Sequence, residues 1–234
     1  MFNFSYILFM LPALILGLVA QLIVKSRYKK YSAIPNKSRL TGADAANLVL
    51  SSNGVRIAGI GHVQGEMTDY YDPKNNIICL SDGVYGEPTI ASVGIAAHEA
   101  GHALQYAENY FPIKLRSAIV PVCNFGSSAG LILIIIGFFI SYAADWLIGL
   151  GNLLYLLGVI LFSAVALFRL VTLPVELNAS RRAINALRAS NVLESDELKG
   201  AEKVLKAAAL TYVAALLTAV LQVFYYASRF KPRK

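Results

Sequence analysis

Four long apolar runs divide this 234-residue chain and predict membrane-spanning helices. A helix of about twenty apolar residues is long enough to cross the hydrocarbon core of a bilayer. The runs cover residues 4–24, 122–143, 153–172 and 207–227. We expect the first run to be a retained anchor, because its basic residues follow the apolar stretch instead of preceding it as in a signal peptide. Each run also fits a buried core helix, the fourth most of all because it contains Thr211, Thr218 and Gln222.

Residues 25–116, between the first two runs, form the sizeable polar region of the chain and carry the local signals of a soluble fold. Thr41 and Asp44 are spaced as a capping box that starts a helix, and Asn53-Gly54 is a typical helix end. The pattern predicts strands over 55–60, 62–69 and 77–81, with a turn at 72–76. The fold class we predict is a multi-span α-helical membrane protein with a small α+β unit.

The last part of the polar region predicts an apolar helix that contains two histidines. Between Ile90 and Asn109 only Gly94 and Gly101 are residues that weaken a helix. Small side chains recur at helical spacing, at Ala96, Ala100, Ala103 and Ala107. This stripe predicts that another helix packs closely against the face opposite the histidines.

The sequence His98-Glu99-Ala100-Gly101-His102 within that helix has the spacing of a zinc-binding HExxH motif. Residues four apart on a helix share a face, so both imidazoles can bind one ion and Glu99 can reach the water on it. The alternative is a buried helix whose histidines only satisfy hydrogen bonds in the core. That alternative buries two histidines and a glutamate in an apolar helix without an ion, which costs free energy.

The composition supports a membrane protein and excludes several other classes. Hydrophobic residues make up 56% of the chain and charged residues 15%, which is too apolar for an ordinary soluble domain. The net charge of +7 favours contact with anionic lipid headgroups, and the sequence contains no nucleic-acid-binding motif. Cys79 and Cys123 do not have the number or spacing of a disulfide framework or a thiolate zinc site.

A hydrolytic zinc site needs a third protein ligand beside the two histidines. His62 is the other histidine of the chain and lies in a predicted strand. Glu176 follows Pro174, which is well placed for the first turn of a new helix, so its carboxylate would lie at the positive end of that helix dipole. These residues alone leave Glu176 open between a metal ligand and a carboxylate that only caps its helix.

The predicted topology bears on this choice. Two apolar runs, 122–143 and 153–172, separate His102 from Glu176. An even number of membrane crossings returns the chain to the same face of the bilayer. Glu176 and the two histidines can therefore meet at or just outside one membrane surface.

Three segments resemble the YugP-type membrane zinc metallopeptidases of bacteria, and the resemblance covers nearly the whole chain. They are residues 69–105, which include the HExxH motif, residues 173–183, which read Leu-Pro-Val-Glu-Leu-Asn-Ala-Ser-Arg-Arg-Ala, and residues 207–215. This family is more distantly similar to the HtpX and CAAX-prenyl membrane proteases, which hold zinc with two histidines and a downstream glutamate. The resemblance implies a zincin-like catalytic unit, with the third zinc ligand, Glu176, on a helical segment over 173–206.

The resemblance departs from those proteases at one position. Their glutamate lies in an E-x-x-A-D pattern, whereas this chain reads Glu176-Leu177-Asn178-Ala179-Ser180. The aspartate of that pattern would orient a ligand histidine through a hydrogen bond. Ser180 stands in its place, and we expect either Asn178 or Ser180 to orient the ligand histidine instead.

Two further roles, stabilising the oxyanion and binding the substrate, have candidate residues in the sequence. The oxyanion formed during peptide hydrolysis needs a stabilising group, and the candidates are His62, Tyr70, Tyr71 and Arg181. In HtpX-like proteases an edge strand ahead of the zinc helix binds an extended substrate, and the strand here comprises Ile77, Ile78, Cys79, Leu80 and Ser81. A plain core strand is an equal alternative for those five residues.

The distribution of basic residues predicts the orientation in the membrane. Lys25, Arg27, Lys29 and Lys30 follow the first run directly, so the positive-inside rule places the polar region in the cytoplasm. The loop around Asp145 has no lysine or arginine, as expected outside. The C-terminal tail disagrees with this orientation. Four full spans would place it outside, although it carries the basic residues Arg229, Lys231, Arg233 and Lys234. The tail is then either tolerated there or the fourth run does not fully cross.

Together these features predict a multi-pass cell-membrane endopeptidase with one zinc ion per chain and its active site on the cytoplasmic face. Glu99 is expected to act as the general base toward a zinc-activated water, with membrane or misfolded proteins as substrates. One alternative is a non-catalytic membrane scaffold stabilised by zinc, although such a site needs no base. Another is a zinc hydrolase of a non-peptide amide. The expected partners are the lipid bilayer and a peptide or membrane-protein substrate, without nucleic acid.

Overall fold

The computed structural model describes residues 4–230, which form long helices and one small sheet. The helices are α1 (Phe4–Ser32), α2 (Gly42–Ser52), α3 (Ile90–Ala107), α4 (Phe111–Ala143), α5 (Ile148–Ser190) and α6 (Ser195–Arg229), with a short 3₁₀-helix at Asp145–Leu147. The strands are β1 (Gly59–His62), β2 (Tyr70–Asp72) and β3 (Ile77–Leu80). Lys231, Arg233 and Lys234, which bear on the predicted orientation in the membrane, lie outside the described residues.

The chain divides into two compact units. Within the described residues, the helical unit comprises residues 4–18, 115–173 and 212–230. The mixed unit comprises residues 19–114 and 174–211, and it contains the whole sheet together with α2 and α3.

The helices that cross the helical unit confirm the prediction of four candidate membrane spans. By length and composition, the described segments Tyr6–Ser32, Phe111–Ala143, Asp145–Ser190 and Ser195–Arg229 can each cross a bilayer. Large apolar side chains such as Phe125, Phe139 and Phe224 are exposed on them, which suits contact with lipid. The helices run past the apolar stretches that predicted them, since α1 continues through the basic residues to Ser32 and α4 begins at Phe111.

Glycines bring α4 and α5 into backbone contact in the helical unit. A Cβ at Gly130 would lie 2.7 Å from the Phe162 nitrogen, and one at Gly158 would lie 2.6 Å from the Ile134 nitrogen. Small residues that let two backbones approach closely are the usual basis of helix packing in membranes, where the hydrophobic effect does not hold helices together. The Tyr155 hydroxyl also donates to the Tyr226 carbonyl at 2.9 Å, which links α5 to α6 in this unit.

In the mixed unit the capping box predicted for α2 is confirmed. Thr41 is the N-cap and accepts from the Asp44 backbone N–H, while the Asp44 carboxylate accepts from the Thr41 N–H. Asn53 caps the other end, and Gly54 follows with a φ of +67°, a conformation that favours glycine. The helix therefore begins and ends where its sequence signals predict.

The strands before β3 differ from those predicted. β1 includes residue 61, which was expected to separate the predicted strands over 55–60 and 62–69. Most of the segment predicted as the second of these strands is a loop. Gly65 and Met67 have φ values of +110° and +58°, which an extended strand cannot contain. The Asp69 carboxylate accepts from the backbone N–H of Ser81 at 2.7 Å and holds the end of the loop against the chain after β3.

The sheet has the order β1-β3-β2, so the strand at its centre is β3. β3 pairs in parallel with β1, where Gly59 lies opposite Ile77, and antiparallel with β2, where Tyr71 lies opposite Ile78. The strand predicted over 77–81 is confirmed for residues 77–80. Of the two alternatives for this strand, its central position favours the core strand, because its backbone groups pair with a strand on each side.

α5 is a single helix of 43 residues, and Pro174 lies inside it. The expectation of a new helix beginning at Pro174 is therefore wrong. A proline removes one backbone N–H, and a long helix tolerates this loss where neighbouring groups support the freed carbonyl. Glu176 consequently lies in the helix interior, where the N–H groups bond within the helix, so it does not act as a helix cap.

Candidate metal centre

The two histidines and the glutamate of the HExxH motif lie on α3, in the interior of the mixed unit. The face opposite the histidines is closed by small residues, as predicted: Ala96 and Ala100 are 0% exposed and Ala103 is 1% exposed. α2 packs on α3, and Ala45 and Ala46 of α2 belong to the same core cluster. The fourth residue of the predicted stripe, Ala107, is exposed. The prediction of a closely packed helix is thus confirmed for the first three positions.

A second close contact brings α5 to the side of α3 next to the histidines. A Cβ at Gly101 would lie 2.5 Å from the carbonyl oxygen of Ala179, so a larger residue does not fit without a shift of one helix. The sequence alone indicates only that Gly101 weakens its helix. In the structure its missing side chain permits the approach of the α5 segment that carries Glu176.

This approach places Glu176 beside both histidines. Its Oε2 atom lies 3.3 Å from His98 Nε2 and 3.5 Å from His102 Nε2. Among the described residues, these three side chains form the group of possible ligands, with all ligand atoms within 4.8 Å of one another. A tetrahedral zinc ion with bonds of about 2.0–2.2 Å separates its ligands by about 3.3–3.5 Å. The donor types and the two distances from Glu176 therefore fit zinc.

The other ring nitrogen of each histidine is held by a hydrogen-bonding side chain. His98 Nδ1 lies 3.0 Å from the Ser180 hydroxyl oxygen, and His102 Nδ1 lies 3.0 Å from the Gln105 Oε1 atom. Such partners fix the orientation of a ligand imidazole and strengthen its bond to a metal. Ser180 stands in the place of the aspartate of the E-x-x-A-D pattern, and it makes the hydrogen bond to a ligand histidine that was expected there.

The partners of Gln105 determine which nitrogen of His102 carries the proton. The fully buried amide donates from Nε2 to the Val175 carbonyl at 2.8 Å and to Asn178 Oδ1 at 2.9 Å. Because a backbone carbonyl only accepts, the Gln105 oxygen must face His102, and His102 Nδ1 must donate to it. The lone pair of a neutral His102 is then on Nε2, directed to the cluster with Glu176.

Gln105 belongs to a hydrogen-bonded chain that ties α5 to α3. Asn178 Oδ1 also accepts from Arg182 Nε at 2.7 Å, and Arg182 Nη1 lies 2.6 Å from the Glu108 carboxylate. Asn178 was predicted from the sequence as a supporting residue, whereas Gln105 was not. The available signal was its spacing, since a residue three positions after His102 lies on the same helix face.

The electrostatics of the cluster favour a bound cation. Glu99 is 8% exposed, and burial raises the pKa of its carboxyl although the two histidines partly oppose that shift. Burial alone would lower the pKa of His102, but its hydrogen bond to Glu176 and the charges of Glu99 and Glu176 raise it above its ordinary value. Two carboxylates in one buried cluster thus stabilise positive charge between them.

The remaining predicted site residues lie outside the cluster. His62 is exposed, and its Nε2 atom lies 2.6 Å from Asp82 Oδ1, so the structure does not bring it to the other histidines. Tyr70 is exposed, and the Tyr71 hydroxyl donates to Asn76 Oδ1 at 2.7 Å. Arg181 is exposed and lines a groove between α5 and α6.

Comparison with known proteins points to a family of zinc peptidases. Residues 6–231 match the model of a family described as "Putative neutral zinc metallopeptidase". The chain is also similar to "Putative membrane protease YugP" of Bacillus subtilis (strain 168), with 40% identity over 221 residues, which is 94% of each chain. No solved structure matches. The chain, with its HExxH helix and four helices able to span a membrane, belongs to this neutral zinc metallopeptidase family.

Proposed function

We propose that this protein is a membrane zinc endopeptidase whose ion is held by His98, His102 and Glu176, one ion per chain. The observation that carries the proposal is the convergence of two Nε2 atoms on one buried carboxylate oxygen, at 3.3 and 3.5 Å, while both Nδ1 atoms have other partners. Three protein ligands leave one tetrahedral position open, which is typical of catalytic zinc and not of closed structural sites.

The proposed mechanism uses Glu99 as the general base. When bound, zinc supplies Lewis acidity, which lowers the pKa of a water and polarises the substrate carbonyl. Glu99 accepts the proton of the attacking water on its carboxylate and later donates it to the leaving amine. Its buried position keeps bulk water away, so the proton stays at the reacting groups.

The hydrogen-bonded residues behind the cluster hold these groups in place. Gln105 keeps Nδ1 of His102 protonated and binds the α5 backbone at Val175, one residue before Glu176. Ser180 supports His98 from the same helix. We infer that α5 supplies one ligand, Glu176, and the support of His98, and that it also holds Gln105 through Val175 and Asn178, so that a small displacement of α5 from α3 would impair the whole site.

The proposed catalytic unit is zincin-like and lies on the cytoplasmic face, as the basic residues after the first span suggest. Because β3 is central in the sheet, we propose the edge strand β2 as the one that binds an extended substrate. β2 runs antiparallel to β3 and packs near α3, where the Tyr71 ring lies 5.6 Å from that of Tyr106. The proposed substrates are membrane or misfolded proteins.

The test of the metal site is zinc content. We expect the full-length protein, purified in detergent, to contain about one zinc ion per chain, and His98→Ala or His102→Ala to release it, because two ligands hold zinc poorly. Elemental analysis measures the zinc, and circular dichroism confirms that each variant remains helical. Full zinc in both folded variants would refute the site.

Gln105→Leu tests the support behind His102. We expect zinc affinity to fall about 10–100-fold, the range for losing an outer hydrogen-bond partner of a metal ligand, and the melting temperature to fall as well. Chelator competition measures the affinity. Gln64→Leu is the matched control, since that side chain is exposed. An affinity equal to that of the wild type in Gln105→Leu would show that Gln105 does not position His102.

A further inference from the structure

A groove of about 370 Å³ runs between α5 and α6 in the mixed unit. On α5 its lining residues recur every three or four positions from Leu177 to Arg188, so they form one face of that helix. On α6 its lining lies within residues 202–209. Ser180 belongs to the lining and contacts His98 Nδ1, the ring nitrogen that faces away from the Glu176 cluster. The candidate metal centre therefore does not explain the groove.

The lining of the groove carries an excess of positive charge. Arg181, Arg188 and Lys206 contribute three cations, and Glu202 contributes the one carboxylate of the lining. The Glu202 carboxylate lies 2.7 Å from the Lys206 ammonium and also attracts Arg188. One carboxylate among three cations leaves positive charge uncompensated, so an anionic ligand would complement the groove.

Arg181 is the cation best placed to bind such a ligand. Within the described part of the chain no carboxylate oxygen lies within 4.0 Å of its guanidinium, whereas Glu108 binds the next residue, Arg182. Arg181 also lies about two helical turns closer than Arg188 to the apolar run over 153–172. A guanidinium binds a phosphate through two parallel hydrogen bonds, so a phosphate group is a suitable partner for it.

The α5 face that lines the groove continues along the apolar part of the same helix. Leu170 and Leu177 are exposed apolar residues on this face, and Arg181 and Arg188 follow them. The spacing of these four residues keeps them on one side of the helix. The Cα–Cβ bonds of a helix tilt toward its N-terminus, which in α5 is the direction of the apolar run. The Arg181 side chain therefore starts toward the candidate membrane span.

α6 has the same arrangement in the opposite chain direction. Lys206 lines the groove, and the exposed apolar residues Leu210, Val213 and Leu217 follow on its side of the helix. On each helix, basic residues of the groove thus lie just beyond an exposed apolar stripe that suits contact with acyl chains. A phospholipid has its groups in the same order, with acyl chains followed by a phosphate.

The size of the groove suits the headgroup of a lipid. Its volume lies near the lower end of the range for small-molecule sites, about 300–1,000 Å³. A phosphate with its glycerol fits a space of this size. The two acyl chains do not, and they would stay outside the groove, along the exposed apolar residues of the helices.

We propose that this groove binds the headgroup of an anionic phospholipid such as phosphatidylglycerol, with the lipid phosphate on the Arg181 guanidinium. Basic pockets between membrane-spanning helices at the cytoplasmic side are typical sites for such headgroups, and the proposed orientation places the groove on that side. The lipid site does not require the metal centre to be catalytic, so its test is independent of peptide hydrolysis.

The test is lipid binding by the full-length protein in detergent, measured by native mass spectrometry during titration with phosphatidylglycerol or zwitterionic phosphatidylcholine. We expect phosphatidylglycerol to bind more tightly. Arg181→Gln should weaken its binding about fivefold, the factor for losing one basic residue at an anionic lipid surface. Lys203→Gln is the matched control, since it removes an exposed cation of α6 outside the lining, and it should bind as the wild type does.

Glu202→Gln adds a measurement that a loss of folding cannot imitate. This variant removes the one carboxylate of the lining and releases Lys206 from its ion pair. We expect its affinity for phosphatidylglycerol to rise by up to about fivefold, because one more basic residue can then interact with the headgroup. Circular dichroism confirms that each variant remains helical.

Several results would overturn the proposal. They are equal binding of the two lipids, wild-type affinity in Arg181→Gln, an affinity in Glu202→Gln that does not rise, and a loss in Lys203→Gln as large as that in Arg181→Gln. Competition experiments test other anionic ligands. Displacement of the lipid by an equal concentration of inorganic phosphate would assign the groove to a soluble phosphate. Displacement by an equal concentration of a glutamate-rich peptide would assign it to a protein ligand, and either result would also overturn the proposal.

Discussion

Replacing Glu99 by glutamine should leave zinc and fold intact and reduce peptide hydrolysis by about 10²–10⁴-fold, the range attributed to general acid–base catalysis. The amide has nearly the shape of the carboxylate but cannot accept the proton of the attacking water. Burial already raises the pKa of Glu99, so the folded protein bears a cost for its negative charge. The neutral amide removes that cost, and the melting temperature should stay equal or rise.

The measurement is the rate of cleavage of an unfolded membrane-protein panel, with zinc content and melting temperature determined on the same preparation. Glu87→Gln is a matched control, because Glu87 is exposed and lies outside the cluster. Hydrolysis at the wild-type rate in Glu99→Gln would exclude Glu99 as the base. That result would favour a different catalytic group. A wild type that holds zinc but does not hydrolyse the panel would instead favour a membrane scaffold.

The features that sequence predicted well are those encoded by neighbouring residues. The spacing of His98 and His102 places both on one helix face for any α-helix, and the Thr41 capping box operates within four residues. The four candidate spans follow from apolar runs of sufficient length. Each of these predictions needs one segment alone, without knowledge of what packs against it.

The errors arose where a distant segment decides the structure. Pro174 favours a helix start locally, yet α5 continues through it. β1 and β2 have four and three residues, too few for a reliable pattern, and their pairing with β3 determines where they begin and end. A strand predicted in isolation also gives no position in the sheet, so the central place of β3 could not be foreseen.

Two contacts that support the candidate site were missed for the same reason. Gln105 is important because its amide contacts Val175 and Asn178 on α5, seventy or more positions later in the chain. Gly101 is important because the Ala179 carbonyl lies where a side chain would be. Neither contact has a signal in the surrounding sequence. Glu176 was identified only through topology and family resemblance, and the reason first given for its place, a helix start, was wrong.

The comparison of Glu176→Ala with His62→Ala tests this assignment most directly. We expect Glu176→Ala to weaken zinc binding by more than about 100-fold, beyond the range for outer hydrogen-bond partners, and to abolish hydrolysis. The alanine removes the carboxylate oxygen that lies 3.3 and 3.5 Å from the two histidine nitrogens. It also removes one of the two carboxylates that stabilise a cation in the cluster.

His62→Ala should keep its zinc and its activity. The His62 ring is exposed, and its contact with Asp82 is a surface pair, which contributes little to stability. Asp82 also accepts from the Gly65 backbone N–H at 2.9 Å, so the loop after β1 keeps a second contact when the imidazole is removed. The variant is therefore a control in which a histidine is lost but the three proposed zinc ligands are unchanged.

Zinc per chain, chelator competition and hydrolysis are measured on both variants in the same detergent, with helical content as the test of folding. Glu176→Asp adds a sharper variant, since it keeps the charge but shortens the reach by one methylene. We expect its zinc affinity to fall between those of the wild type and Glu176→Ala, because electrostatic attraction remains while the bond geometry is lost. Zinc lost from His62→Ala and kept by Glu176→Ala would reverse the ligand assignment, and with it the role of α5 as the helix that completes the site.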